Sequence, residues 1–295
     1  TPCDIWQHGV TKVLAERTTP FQEMTVVESG PYGKALILDG KWQTCTGDEF
    51  LYHEPIVHAP CALHGSPERV LIAGGADGGA LREALKWKSV TEVVVADIDD
   101  AVIQACRELL PEIHQGAFDD PRARIAVGDA WDLISQTRGH WDVIIADLTD
   151  PIEEGPAFKL FTKEFFTLCR QALRPGGVFV NQAGSQSPPL MDITVRVLNT
   201  IVSVFGQASV ITANVPTYGS SWALALASVE PLNLRPSPEA VDALLAEQLS
   251  TSVKMFDGEA LLGMLQMTKL IRDRLATETC VYTVDAPPVF FGRAT

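Results

Sequence analysis

Short apolar runs separated by longer amphipathic segments dominate the chain between residues 68 and 228. Runs this short and this apolar are typical of parallel strands that are buried on both faces of a sheet. Their regular alternation with helical segments, such as Ala101–Leu110, predicts an α/β fold with a doubly wound, Rossmann-like sheet. The strand-like runs are Arg69–Ala73, Glu92–Ala96, Arg124–Val127, Trp141–Ala146, Val178–Gln182, Ala208–Asn214 and Trp222–Ala227.

The two ends of the chain have a different pattern. Residues 1–58 contain short β-prone runs joined by glycine-containing turns, which predict a small N-terminal β-hairpin domain. Residues 59–229 are then the Rossmann-like domain. After a linker that contains three prolines, a C-terminal helical extension at residues 230–295 is predicted to pack on this domain, with helices at 239–249 and 258–276.

Composition narrows the possible partners. The net charge of −14 opposes binding to nucleic-acid phosphates or to anionic lipid, so neither nucleic acid nor a membrane is an expected partner. No apolar stretch approaches the ~18 residues of a membrane span. The six cysteines are scattered, with no Cys-x-x-Cys pair and no zinc-ligand spacing, so we expect reduced thiols in a cytoplasmic protein without a metal site.

A glycine-rich turn, residues 74–79, follows the first strand of the predicted sheet and precedes a helix. Glycines such as Gly74 let the backbone pass close to a nucleotide-type ligand. The turn also contains Asp77, which would meet a pyrophosphate as a like charge. Asp77 therefore disfavours NAD and favours a nucleoside without phosphates, such as S-adenosylmethionine or a relative. A ligand tail that ends in an amine suits Asp77 better than one that ends in a carboxylate.

Two further acidic positions end the next strands. Asp97 is placed to accept hydrogen bonds from ribose hydroxyls, although Asp97 or Asp99 could instead cap the following helix, and capping is favoured for Asp99. Asp129, after Gly128, is placed to contact an adenine amino group. A turn or cap is an equally good interpretation of Asp129.

Paired carboxylates, Asp147 and Asp150, follow the fourth strand. Pro151 biases Asp150 to an extended conformation, so a loop is predicted in which both carboxylates reach one cavity. An amine is protonated in water, with a pKa of about 10 by analogy with lysine, and must lose a proton before it attacks an electrophile. One carboxylate could accept that proton while the other holds a second ammonium. Alternatively, the two aspartates could cap a turn. They could also bind magnesium, which is less favoured because a ligand without phosphates gives the ion nothing to bridge.

These motifs, in this order, resemble the polyamine aminopropyltransferases over nearly the whole chain. The resemblance implies transfer of an aminopropyl group from decarboxylated S-adenosylmethionine, a co-substrate, to a polyamine, with no tightly bound cofactor. It also implies an N-terminal β-domain on a methyltransferase-type Rossmann-like domain, and a homodimer or homotetramer. The matching stretches are Val70–Glu83, Asp97-Ile-Asp99, Gly128-Asp129 and Asp147–Pro151, with Asp48–Glu54 upstream and Pro216-Thr-Tyr218 downstream.

Site residues follow from this resemblance position by position. Asp147 matches the catalytic carboxylate. The positions matched to polyamine binding are Asp150, Tyr52, Tyr218 and Gln182. The positions matched to the binding of decarboxylated S-adenosylmethionine are Gln22, His53, Gly74, Asp77, Asp97 and Asp129.

Within the family, the chain is most similar to the thermospermine synthases. Leu148 replaces the serine that is usual in spermidine synthases, and residues 147–156, 160–163, 179–184, 256–258 and 278–283 agree with the thermospermine synthases. Spermidine is therefore the expected acceptor and thermospermine the expected product. The motif ending at Tyr218 is closer to the spermidine synthases, which keeps putrescine as the alternative acceptor. An S-adenosylmethionine methyltransferase and a catalytically silent polyamine-binding protein are the more distant alternatives.

Overall fold

The structure, a computed structural model, describes residues 7–151 and 157–288. Within these ranges the chain begins with a four-stranded antiparallel sheet in which neighbouring strands pair in chain order. The first strand was not predicted, because most of its side chains are exposed and it lacks the apolar face of the others. The strands are β1 (Lys12–Thr18), β2 (Glu23–Glu28), β3 (Lys34–Leu38) and β4 (Lys41–Cys45).

The large sheet has seven strands in the part of the chain that the structure describes, in the spatial order β10-β11-β9-β8-β5-β6-β7. The pairs among β5 to β9 are parallel, and only β11 runs in the opposite direction to its neighbours. The predicted doubly wound α/β architecture is confirmed. The strands are β5 (Arg69–Gly74), β6 (Glu92–Asp97), β7 (Ala123–Val127), β8 (Trp141–Asp147), β9 (Leu173–Ser185), β10 (Ser209–Val215) and β11 (Ser220–Ser228).

Helices cover both faces of this sheet. Successive residues Val70 to Ala73 of β5 are all fully buried, since alternate side chains enter the cores on opposite faces. This explains why the central strands are continuously apolar. The helices are α1 (Phe50–His64), α2 (Gly79–Leu85), α3 (Asp100–Leu109), α4 (Pro111–His114), α5 (Ala130–Ser135), α6 (Lys163–Ala172), α7 (Met191–Phe205), α8 (Pro238–Gln248), α9 (Gly258–Met264) and α10 (Lys269–Thr277). No described helix combines the length and apolar character needed to cross a bilayer.

The strand order reverses between β5 and β8, which are neighbours in the middle of the sheet. β6 and β7 lie on one side of this point, and β9 lies on the other. Crossover connections then run to opposite sides, which opens a crevice at the carboxyl ends of β5 and β8. The N-terminal sheet packs over this edge, because Met24 and Leu36 share a core with Val102 and Cys106 of α3.

The C-terminal region differs from the prediction in one respect. The expected single helix at 258–276 is divided into α9 and α10. Thr268 accepts a hydrogen bond from the Ile271 N–H as the N-cap of α10, which starts a new helix there. The two helices then bury Leu261 and Ile271 in cores on opposite faces of the sheet.

A buried carboxylate ties the C-terminal region to α1. Glu54 is 1% exposed and accepts backbone N–H bonds from Lys254, Met255 and Phe256 at 2.6, 2.8 and 3.1 Å. Hydrogen bonds to an ionised buried group contribute about 1.5–3 kcal/mol each, although they do not add fully. Glu54 therefore holds two segments together that are 200 residues apart.

We predict that Glu54→Ala lowers the free energy of unfolding by on the order of 3 kcal/mol, because three buried donors lose their acceptor. Urea denaturation followed by circular dichroism measures the change. Glu247→Ala, at an exposed position of α8, is the matched control and should stay within about 0.5 kcal/mol of the wild type. Equal stability of both variants would contradict this role of Glu54.

Candidate active site

One cavity opens at the carboxyl ends of β5 and β8, where the strand order reverses. Gly74 and Asp147, the last residues of these strands, are paired across the ladder. All eleven site residues expected from the sequence line this cavity. They are Gln22, Tyr52, His53, Gly74, Asp77, Asp97, Asp129, Asp147, Asp150, Gln182 and Tyr218.

The glycine turn lets two strand ends approach very closely. Gly74 and Gly75 have φ values of +83° and +75°, and the Gly75 N–H donates to the Asp147 carbonyl at 3.1 Å. A Cβ on Gly74 would lie 2.1 Å from that carbonyl oxygen. Glycine is therefore needed at position 74 both for its backbone conformation and for the space it leaves.

Asp147, the half-buried last residue of β8, lines the cavity, and Tyr52 of α1 donates its hydroxyl proton to Asp147 Oδ1 at 2.8 Å. Burial raises the pKa of Asp147 to about 6, while the His53 charge lowers it and the Asp77 charge raises it. The Tyr218 ring packs edge-on against Tyr52 with centroids 5.8 Å apart. Asp147 thus faces the cavity as a carboxylate that is more basic than usual and oriented by a phenol.

His53 lies between two carboxylates. Its Nδ1 is 2.7 Å from Glu49 Oε2, and its Nε2 is 3.3 Å from Asp77 Oδ2. Burial alone lowers the pKa of His53, but these two carboxylates raise it well above its ordinary value. Burial raises the pKa of Asp77. The charge of His53 outweighs this effect and holds the pKa of Asp77 below its usual range. The pair is therefore an imidazolium beside an ionised carboxylate.

Two buried residues that were not predicted from the sequence, Glu49 and Arg82, support His53. The Arg82 guanidinium donates to both oxygens of Glu49, at 3.1 and 2.8 Å, and its Nε donates to Glu83 at 2.7 Å. The i, i+4 spacing of Glu49, the N-cap residue of α1, and His53 was an available signal for that pair. Nothing in the local sequence indicated Arg82, which lies 33 residues further along the chain.

The carboxylates at the end of β6 divide into two roles. Asp99 caps α3 by accepting the Ala101 and Val102 N–H groups, so the favoured capping interpretation of Asp99 is confirmed. Asp99 also accepts a hydrogen bond from Gln22 Nε2 at 3.0 Å, which connects the N-terminal sheet to this strand end. Asp97 faces the cavity, and burial raises its pKa to about 6, with the charges of Asp99 and Asp147 adding to the increase.

Asp129 is at once a helix cap and a cavity residue. Its Oδ1 accepts the Trp131 N–H at 2.9 Å as the N-cap of α5, so the cap interpretation is confirmed. Its Oδ2 forms an ion pair with Lys159, a residue that sequence reasoning missed. The expected contact of Asp129 with adenine stays a prediction.

Asp150 lies at the other end of the cavity, in the loop that Pro151 predicted. Gln182 Nε2 donates to Asp150 Oδ1 at 3.3 Å, and Trp222 Nε1 donates to Gln182 Oε1 at 3.1 Å. The Tyr218 hydroxyl donates to the Gln43 carbonyl at 2.6 Å. Among the described residues, this end therefore has the carboxylate of Asp150, held by an amide, within largely aromatic walls.

Four residues at this end were missed from the sequence: Lys41, Trp42, Gln43 and Trp222. Three of them come from β4 of the N-terminal sheet and one comes from β11, so no local motif connects them with Asp150. Among the residues that the structure describes, no group of three or more His, Cys, Asp or Glu side chains has the arrangement of a metal site.

Comparisons with known proteins agree over both domains. A model of the spermine/spermidine synthase domain matches residues 49–234, and a model of the spermidine synthase tetramerisation domain matches residues 7–46. A polyamine aminopropyltransferase from Synechococcus sp. (strain JA-2-3B'a(2-13)) is 47% identical, over 98% of this chain and 95% of its own length. One from Aeropyrum pernix is 39% identical, over 94% and 88% of the two chains.

Solved structures show the same similarity. A spermidine synthase in complex with the transition-state analogue AdoDATO is 30% identical, with a TM-score of 0.83, and the match covers 92% of this chain and 90% of that one. A spermidine synthase from Thermotoga maritima is also 30% identical, with a TM-score of 0.81 and the same coverage of both chains.

We predict that the pKa of His53 lies well above its ordinary value, because carboxylates face both ring nitrogens. Nitrogen-15 NMR of the ring measures this directly. Glu49→Gln should lower the pKa of His53, since a neutral amide stabilises the imidazolium less, and Glu247→Gln is the control that should not. Deprotonation of the wild-type ring near the ordinary pKa of about 6.5 would contradict the assignment.

Proposed function

The chain belongs to the spermine/spermidine synthase family of polyamine aminopropyltransferases, and from this membership we propose that its acceptor is spermidine and its product thermospermine. The aminopropyl donor is decarboxylated S-adenosylmethionine, which is consumed as a co-substrate, and methylthioadenosine is released. The roles given below to individual residues belong to the same proposal.

The reaction is a displacement at carbon. The lone pair of an acceptor nitrogen forms a bond to the aminopropyl carbon that is attached to the positively charged sulfur. The carbon–sulfur bond breaks, and its electron pair neutralises the sulfonium to give a thioether. The attacking nitrogen must lose one proton in the process, so the enzyme has to supply an acceptor for that proton and hold the two reactants in line.

Asp147 is the proposed proton acceptor, and its environment is the observation that carries the proposal. A carboxylate with a pKa of about 6 is a better base than an ordinary aspartate, yet remains mostly ionised at pH 7. Burial and the Asp147 charge raise the pKa of Tyr52 well above its usual value, so its hydroxyl stays protonated and donates to the carboxylate. Tyr52 thereby orients Asp147.

The donor is proposed to lie along β5, β6 and β7. Asp77 would take the ammonium at the end of its aminopropyl group, since Asp77 stays ionised beside His53. Asp97 would accept the ribose hydroxyls, and Asp129 the adenine amino group. Gln22, His53 and Gly74 complete the donor end of the cavity. Asp77 also argues against intact S-adenosylmethionine, whose carboxylate it would repel.

The acceptor is proposed to lie between Asp147 and the N-terminal sheet. Asp150 and Gln182 would hold a second nitrogen, while Tyr52 and Tyr218 would line the methylene chain. Spermidine is favoured over putrescine by two features. Trp42 and Trp222 line the cavity together with Asp150, and residues 147–156 and 160–163 resemble the thermospermine synthases, although 152–156 lie outside the described residues.

A homotetramer or homodimer is the proposed assembly. Residues 7–46 match the tetramerisation domain of spermidine synthases, and these residues form the sheet that closes the acceptor end of the cavity. Association through this sheet would therefore steady one wall of the site.

We predict that the enzyme incubated with decarboxylated S-adenosylmethionine converts spermidine to thermospermine, and that putrescine reacts at least tenfold more slowly in kcat/KM. Chromatography that resolves thermospermine from spermine is needed, because the two isomers have the same mass. Spermidine formed from putrescine, with no product from spermidine, would show that the acceptor is putrescine.

We also predict that kcat/KM for the acceptor falls about tenfold per pH unit below pH 6. The sign follows from Asp147, which can accept a proton only when ionised and becomes protonated as the pH falls through about 6. Asp147→Asn should lower kcat by about 10²-fold or more while donor binding in calorimetry persists.

Asp97 also titrates near pH 6, so a second variant separates the two carboxylates. Asp97→Asn should weaken donor binding and leave the acidic fall of kcat/KM for the acceptor in place. If the fall disappears in Asp97→Asn and Asp147→Asn keeps activity within a fewfold of the wild type, Asp147 is not the base.

A further inference from the structure

A lysine of the N-terminal sheet lies in the acceptor end of the cavity. Lys41 is the first residue of β4, and its Nζ is 3.6 Å from Asp150 Oδ2. The preceding turn, Asp39-Gly40, has positive φ at both residues, as in the tight turns that join hairpin strands. The hairpin therefore sets where the Lys41 side chain starts and directs it toward Asp150.

The two side chains differ in exposure. The Lys41 side chain is 36% exposed and that of Asp150 is 15% exposed. Asp150 is further held by Gln182 Nε2 on its other oxygen. The exposed part of Lys41 is its methylene chain, because its Nζ is itself buried beside the carboxylate.

Chemically, Lys41 imitates the substrate. A lysine side chain is an ammonium on four methylenes, the same group as the aminobutyl end of putrescine or spermidine. It is attached to the cavity wall, so it competes for Asp150 at a high effective concentration. An acceptor ammonium that binds Asp150 must displace Lys41 or bind beside a like charge.

We propose that Lys41 is a built-in competitor for the acceptor's ammonium site, which weakens acceptor binding at Asp150 and so sets the acceptor KM. The inference rests on the proposed placement of the acceptor at Asp150, and it holds whether the acceptor is spermidine or putrescine. It assigns to the N-terminal sheet a direct effect on acceptor affinity.

The test replaces Lys41 with Met, which keeps an unbranched chain and removes the charge. Acceptor KM, and the dissociation constant of spermidine in the presence of methylthioadenosine, should fall about three- to tenfold at low salt, and less in 0.5 M NaCl. The donor KM should not change. Lys41→Arg, which keeps the charge, should bind spermidine no more tightly than the wild type.

Lys34→Met is the matched control, because Lys34 lies on β3 of the same sheet and pairs with Glu112 at 2.8 Å outside the cavity. It should leave the acceptor KM unchanged. Unchanged or weaker spermidine binding in Lys41→Met would overturn the inference, since Lys41 would then support the site or have no part in it. Circular dichroism confirms that each variant is folded.

Asp150→Asn separates this inference from the proposed function. If Lys41 acts through Asp150, Lys41→Met in the Asp150→Asn background should no longer improve acceptor binding. An equal improvement in that background would overturn the inference while leaving the assigned activity intact. Product analysis with putrescine and spermidine tests the proposed acceptor independently, because it does not depend on Lys41.

Discussion

The placement of several carboxylates in one desolvated cavity is the constraint on which the rest of the site depends. An ionised carboxylate loses hydration when it is buried, so it needs a cation, a hydrogen-bond donor or a raised pKa. The protein supplies cations to some of them: His53 to Asp77, Lys159 to Asp129, and Lys41 to Asp150. The cavity is left with a need for positive charge that a polyamine and a sulfonium donor can meet.

Asp147 and Asp97 have no such cation partner named above, and their pKa values are raised instead. Burial raises the pKa values of Asp147 and Asp97 to about 6, so both are ionised at neutral pH but hold a proton more readily than a surface aspartate. For Asp147 this property suits proton transfer. Asp77, by contrast, keeps a low pKa beside the protonated His53 and suits the binding of a permanent cation.

Helix α1 connects the chemistry to the stability of the fold. Tyr52 and His53 project into the cavity, while the next residue, Glu54, accepts three backbone N–H groups of the C-terminal region. Adjacent residues of a helix point in different directions, so one turn serves both purposes. A change that shifts α1 would therefore affect the contacts of Asp147 and Asp77 and the packing of the C-terminal helices together.

The local pattern of the sequence was enough to determine the main architecture and the acidic strand ends. Strands buried on both faces must be continuously apolar, and the glycine turn and the aspartates directly follow such strands, so their common edge could be predicted. The capping role of Asp99 could also be predicted, because a helix cap depends on residues only two and three positions away. The break between α9 and α10 was not predicted, although Thr268 supplies the cap at which α10 begins.

Only the tertiary structure decided which groups share the cavity with those aspartates. Arg82 reaches Glu49 across 33 residues, and Tyr52 reaches Asp147 across 95. Lys41 meets Asp150 only because the N-terminal sheet packs over the edge of the large one. Such contacts join residues that are far apart in the chain, and no local spacing encodes them. The burial that raises the pKa of Asp147 has the same origin, because it comes from every element packed around the cavity.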